Sequence, residues 1–322
     1  HHRSMSGEEE DIHWIEKNIN IISRSDSATA AVILETALEI KESQIMREEA
    51  ATIALDRGES NEAKIHVDKI DDSRSRKILE SRIARLSGKQ DLARRLEEEA
   101  IILSGPSQRA KMEISSIIRR FDDRIPGKLD NSESEKILQI ISHVELGSIS
   151  NEERESAILS LELVKYSIAL SDSNLKEASK ARAEIESRLS HDDVFLDILD
   201  LRARLSSRVN GNASSSSISW CKDLISKLDE PVIRIRAIHS ALEAVGNEFP
   251  KWLIEAHQES CRYPLREDIP SFRRMAAHRW YWRGVLDPVN RMSHWTEAIS
   301  RFRAAECINA ANQLVTKLAK GS

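Results

Sequence analysis

The chain is predicted to be all-α, with antiparallel helical hairpins stacked as a solenoid and a C-terminal helical module after them. Three observations carry that reading. Ile, Leu, Ala, Glu, Arg, Lys and Ser dominate the 322 residues, aromatics are 4% and Pro occurs 7 times, so helix formers outweigh strand formers. Apolar residues return at helical spacing in one segment after another. Small residues recur at fixed offsets from a turn: Ser25, Gly58 and Gly88 have Ala30, Ala63 and Ala93 five positions on, and Ala37, Ile70 and Ala100 twelve positions on.

The physical reason for that recurrence is contact distance. Where two helices of a hairpin cross closely, only a small side chain fits, and the turn between them needs a permissive backbone, which Gly supplies. The three origins are 33 and 30 residues apart, a period that marks stacked helical hairpins. The segment Gly58-Glu59-Ser60-Asn61-Glu62-Ala63 and its echo Gly88-Lys89-Gln90-Asp91-Leu92-Ala93 resemble the turn into the second helix of a tetratricopeptide repeat, with Ala63 and Ile70 at its packing positions. The resemblance covers about residues 25 to 104, with a fainter copy at Ser173, Ala178 and Ile185. The family's Trp, Tyr and Pro positions are not filled, so a related α-solenoid is what the resemblance implies.

The elements follow in order. His1-His2-Arg3-Ser4 reads as a tag remnant, with Met5 the expected start. Glu8 to Ile22 forms a first helix with Ile12, Ile15, Ile19 and Ile22 on one face, and Ser25-Asp26-Ser27 caps the next. Gly105-Pro106 stops one helix and starts another, and Ala110, Ile114, Ile117, Ile118 and Phe121 continue the core. The break at Asp122 to Gly127 is taken as the end of the repeats, giving a repeat domain over 5–125. In a middle block, 126–209, Ser132 and Glu135 have capping-box spacing, and helices are expected at about 151–170, 174–189 and 192–209. Residues 210–218 read as a Ser-rich linker. In the module 219–322, helices open near Pro231, Pro250 and Pro270, and one long final helix runs from Trp295 past Leu318.

Bulk properties narrow the function classes. A net charge of -5 gives no global nucleic-acid footprint. Cys221, Cys261 and Cys307 lie far apart without a C-x-x-C, as expected of reduced thiols in a cytoplasmic protein. No apolar run approaches a bilayer span, no secretory signal is expected after Met5, and no membrane partner is expected. No H-x-x-x-H, P-loop, G-x-S-x-G or G-x-G-x-x-G is present, so no metal, cofactor or catalytic residue is assigned.

The unusual segment is 262–303. Arg262, Arg266, Arg273, Arg274, Arg279, Arg283, Arg291, Arg301 and Arg303 outnumber Glu267, Asp268, Asp287 and Glu297, with Tyr263, Phe272, Trp280, Tyr281, Trp282 and Trp295 interleaved. Three readings stay open: rings filling a terminal core under Arg stems, a protein interface enriched in Arg and Trp, or a nucleic-acid surface. The partner-binding candidates are Arg273, Arg279, Trp280, Trp282, Arg283 and Trp295. Arg279 and Arg283 are four apart on one helix face and are the first choice for anion or carboxylate contacts. The function expected is a non-enzymatic scaffold for protein–protein interaction; the alternative is a nucleic-acid-binding or regulatory helical protein working through 262–303.

Overall fold

A computed structural model describes residues 9–127, 130–189, 193–209, 215–246, 248–267 and 269–320. All regular structure among them is helical: seventeen α-helices and one turn of 3-10 helix, Leu146–Ser148. The chain packs as two compact units, one running through Gly105 and the other taking residues 106–267 and 271–322.

The first unit holds α1 (Glu9–Ser25), α2 (Ser27–Ile40), α3 (Gln44–Asp56), α4 (Ser60–Val67), α5 (Ser73–Leu86) and α6 (Gln90–Ile102). Each helix packs on its sequence neighbour, and α3 also touches both α1 and α5. Ile12, Ile15 and Ile19 meet Leu34, Ala37 and Met46 in one core cluster, and Ala51, Leu55, Ala63, Val67 and Ile70 meet Leu79 in the next.

The second unit holds α7 (Pro106–Asp122), α8 (Asn131–His143), α9 (Asn151–Ser171), α10 (Leu175–Glu186), α11 (Val194–Val209), α12 (Ser215–Lys227), α13 (Pro231–Val245), α14 (Lys251–Ser260), α15 (Pro270–Leu286), α16 (Arg291–Ala304) and α17 (Ile308–Ala319). The division falls at Gly105-Pro106 and not after residue 125, because Ala110, Ile114 and Ile117 of α7 share a core with Ile137, Ile141, Leu161 and Val164. Residues 210–214 of the expected linker lie outside the described residues, while Ser215 to Ile218 open α12. Leu201 and Leu205 of α11 share one core with Cys221, Ile238, Trp282 and Phe302, so the middle block and the C-terminal module are not separate there.

One hairpin turn recurs four times. Gly58 (φ 82°) and Gly88 (φ 75°) are left-handed, and so are Ser173 (φ 58°) and Glu306 (φ 59°). At each, two backbone hydrogen bonds close the end of the first helix: Gly58 N to Leu55 O (3.0 Å) and Glu59 N to Ala54 O (2.8 Å), Gly88 N to Arg85 O (2.9 Å) and Lys89 N to Ala84 O (2.8 Å). The same pair runs from Ser173 N to Leu170 O (3.1 Å) and Asn174 N to Ala169 O (2.8 Å), and from Glu306 N to Arg303 O (3.0 Å) and Cys307 N to Phe302 O (2.8 Å). This is the Schellman ending, in which a left-handed residue lets the last carbonyls find donors. Five residues after each turn stand Ala63, Ala93, Ala178 and Ala311, all buried.

Three expectations are corrected. Between α1 and α2 the chain turns through Asp26 in an extended conformation (φ -151°), whose carboxylate accepts from Ala28 N and Thr29 N, so Ser25 does not form the turn found at Gly58, although Ala30 and Ala37 are buried. The cap of α8 is Asp130, accepting from Ser132 N at 2.8 Å, in place of a Ser132/Glu135 box. The long final helix is two helices, α16 and α17, broken at Glu306. Glu gives no turn signal, but on one continuous helix Ala304, Ile308, Ala311, Val315 and Leu318 would face nearly opposite Trp295, Ala298, Ile299 and Phe302, a phase shift that fits the break.

A Cβ built on Gly58 meets nothing within 4 Å, so only the backbone demands glycine there. Gly58→Ala is therefore expected to lower the unfolding free energy by about 1–2 kcal/mol. Glu306→Gly relieves the same strain and is expected to raise it by roughly 0.5–1 kcal/mol after the extra chain entropy of glycine. Denaturant midpoints of the two variants moving the same way would show that the turn is not the common element.

Candidate functional site

Helix α15 carries most of the Arg/Trp candidates, and packing sorts them. Trp282 is 3% exposed and meets Phe249 edge-on, with ring centroids 5.9 Å apart. Trp295 of α16 is 5% exposed, lies parallel to Tyr281 and donates from Nε1 to the Tyr281 carbonyl at 3.1 Å. Its ring occupies the space above Gly284, where an added Cβ would come within 2.2 Å of Trp295 Cδ1. Gly284 is thus a close-approach glycine between α15 and α16. Trp282 and Trp295, expected as partner contacts, are buried in the core.

The remaining candidates stay closer to water. Arg273 Nε donates to the Glu267 carbonyl at 2.8 Å. Trp280 is partly buried and lies under two guanidiniums, Arg283 at 4.3 Å and Arg301 at 5.1 Å from its centroid, with the His294 ring 5.6 Å away. Cation–π contacts of this kind hold long cationic side chains flat on an aromatic face. Arg301 is also bonded to Glu267 and Glu297.

Arg279 is different. It is 8% exposed, and its Nη1 donates to the Tyr263 carbonyl at 2.9 Å, while Nε and Nη2 are enclosed without a partner. Arg283 stands one turn later on the same helix, as the sequence spacing requires. It lines a small cleft of about 190 Å³ with His257, Gln258, Cys261, Leu286, Asp287 and His294. His257 is buried with no partner at Nε2, and His294 has none at Nδ1 while its Nε2 faces Asp287 Oδ2 at 3.5 Å.

Sequence spacing could not find these histidines, because each comes from a different helix. His239 of α13 lies between His257 of α14 and His278 of α15, with ring centroids at 6.0 and 6.2 Å, and the Nε2 of all three is enclosed without a partner. Burial, and then the charges of Arg279 and Arg283, pull His257 down to about 4. Burial, then His257, His278 and Arg279, depress His239 well below the usual histidine range. Burial and then Arg274 bring His278 to about 3, although part of its surface stays in water. Burial raises the Cys261 thiol against the opposing pull of Arg279 and Arg283, so at neutral pH it is a thiol and not an activated nucleophile. Among the described residues no group of three or more His, Cys, Asp or Glu is placed to hold a metal ion.

A larger cleft of about 550 Å³ lies beside Phe249, Tyr281 and Trp282 and is floored by Arg202 and Glu243. Glu243 Oε1 accepts from Arg124 Nη1 at 2.9 Å and from Gly127 N at 3.4 Å, and Oε2 faces Arg202 Nη2 at 3.4 Å. Burial alone would raise this carboxyl, but the two arginines hold it down to about 2. A carboxylate so well satisfied is a structural clamp and a poor proton acceptor.

The three imidazoles make the fold acid-sensitive. Neutral His239 and His257 in the folded chain, against an unfolded value near 6.5, stabilise fully above about pH 6.5, and that stability is lost as pH falls toward their folded values. The unfolding temperature is expected to drop between pH 6.5 and 4.5, and His239→Leu to flatten that slope. No family model matches the chain, and neither a curated protein nor a solved structure matches it, so its fold and its clefts stand on its own residues.

Proposed function

We propose that the chain is a non-enzymatic helical-repeat scaffold, related in architecture to tetratricopeptide-like α-solenoids, that binds a protein or peptide partner in the cytoplasm. The observation that carries this is the fourfold return of one hairpin turn with a buried Ala five residues on. In the first unit α3 touches α1 and α5 as well as α4, the contact pattern by which first helices of successive hairpins line up in a repeat array. Such arrays present extended surfaces to partners. Here Ile45 and Ile65 are each 59% exposed and Ile102 is 72% exposed, apolar area of the kind that a partner covers.

Cys221, Cys261 and Cys307 are free, and burial raises all three thiols, which suits a reducing compartment. No helix among the described residues is long and apolar enough to cross a membrane. The nucleic-acid alternative draws less support, since three of the six rings in 262–303, Tyr281, Trp282 and Trp295, are buried away from any base that would stack on them.

Affinity capture from native lysate, with cross-linking, should recover a specific protein. Ile45→Glu and Ile65→Glu, both on exposed positions, should reduce that recovery several-fold without changing the helical circular dichroism. Equal recovery by the double variant counts against this surface, and tight binding of a single-stranded oligonucleotide with a steep salt dependence would move the conclusion to the alternative.

A further inference from the structure

The larger cleft of the second unit, about 550 Å³, carries more positive charge than negative at its floor. One carboxylate stands there, Glu243, and two guanidiniums share it: Arg124 Nη1 lies 2.9 Å from Oε1, and Arg202 Nη2 lies 3.4 Å from Oε2. Among the described residues neither arginine pairs with another carboxylate. Gly127 N adds a second donor to Oε1 at 3.4 Å, so Glu243 has little left to offer a cation from solution. The surplus is the charge of one guanidinium, and Lys317 of α17 lines the same cleft.

Arg202 is the guanidinium that a molecule in the cleft can reach. It lines the cleft, and its side chain is 15% exposed. Nη1 donates to Ser167 Oγ at 2.9 Å, while the contact to Glu243 is longer than an ordinary charge-assisted bond. A guanidinium has five N–H donors, so Arg202 has donors to spare. The wall beside it is apolar. Phe249 and Val285 line it with part of their surface open, and Tyr281 and Trp282 complete it from the core. Phe249 meets Trp282 edge-on, which fixes its ring. The volume falls within the roughly 300–1,000 Å³ of small-molecule sites, whose usual make-up is an apolar wall with a few placed polar groups.

We propose that this cleft binds a small carboxylate with a flat apolar body, of the arylalkanoate class, its carboxylate on Arg202 and its ring against Phe249 and Val285. A single negative charge matches the single surplus guanidinium, and a planar carboxylate matches the fork of an arginine. Both halves of the ligand contribute: the anion alone leaves the apolar wall wet, and the ring alone leaves the donors of Arg202 to water. The inference is independent of the scaffold reading. The cleft belongs to the second unit, whereas Ile45 and Ile65 belong to the first, so either can fail without the other.

The test is calorimetric and thermal titration of the full chain with phenylpropanoate, phenylpropanol and propanoate at matched concentration and ionic strength. Phenylpropanoate should bind saturably and raise the unfolding temperature. Phenylpropanol, which lacks the charge, and propanoate, which lacks the ring, should each bind at least tenfold more weakly. Ala244 lines the cleft and is half-buried. Ala244→Leu fills the space without removing a polar contact, and should abolish binding with unchanged helical circular dichroism. Arg202→Gln should weaken phenylpropanoate at least tenfold, while Arg303→Gln, exposed on α16, should not. Should Arg202→Gln not fold, Arg202→Lys keeps a cation beside Glu243, loses the fork and should weaken binding several-fold. Phenylpropanoate that binds no better than phenylpropanol, an Ala244→Leu chain that binds as tightly as wild type, or a folded Arg202 variant with unchanged affinity each overturns the proposal.

Discussion

A single backbone constraint organises the four hairpins: the first helix of each pair ends on a residue in the left-handed region. That conformation turns the chain back on itself within three residues and hands the last carbonyls to the amides that follow. It also fixes the distance between the two helices, because so short a turn brings them together at once. The side chain at the first crossing must then be small, and Ala63, Ala93, Ala178 and Ala311 fill it. A larger residue there would push the rods apart and cost about 1–3 kcal/mol in strain.

The same close approach is reached by another device between α15 and α16. There glycine is in the helix and the large residue is opposite, so Trp295 settles on the backbone of Gly284 and bonds the Tyr281 carbonyl. The tryptophans and Tyr281 thereby become the interior of the last helices. The positive charges of the same segment are left to find other places: Arg301 on Glu267 and Glu297, Arg283 on Trp280, and Arg279 behind His257 and Cys261.

Two buried charge arrangements in the second unit illustrate opposite solutions. Around Glu243, two arginines and a backbone amide complete a carboxylate, and the group is locked in its ionised form. Around Arg279 the acid that acts on it, Glu267, is bonded to Arg301, and the nearby imidazoles of His239 and His257 are held neutral. In the first the carboxylate is self-sufficient. The second leaves a buried guanidinium with a single bond to the Tyr263 carbonyl.

What the sequence by itself determined was the helical class, most helix limits and the repeat of Gly58 with Ala63 and Gly88 with Ala93. These are local: periodicity sets the buried face, and a left-handed turn selects glycine over other residues. The copy at Ser173 was faint and the copy at Glu306 carries no glycine, because tertiary packing there imposes a left-handed turn on residues with no preference for it. In the candidate site the placing of Arg279 and Arg283 one turn apart on one helix was legible, since four residues on one helix must share a face. The burial of Trp282 and Trp295, the stack of His239, His257 and His278, and the join of α11 to α12 were decided only by the tertiary structure. Each of those depends on which helices meet, and a contact between separate helices leaves no spacing in the chain that could announce it.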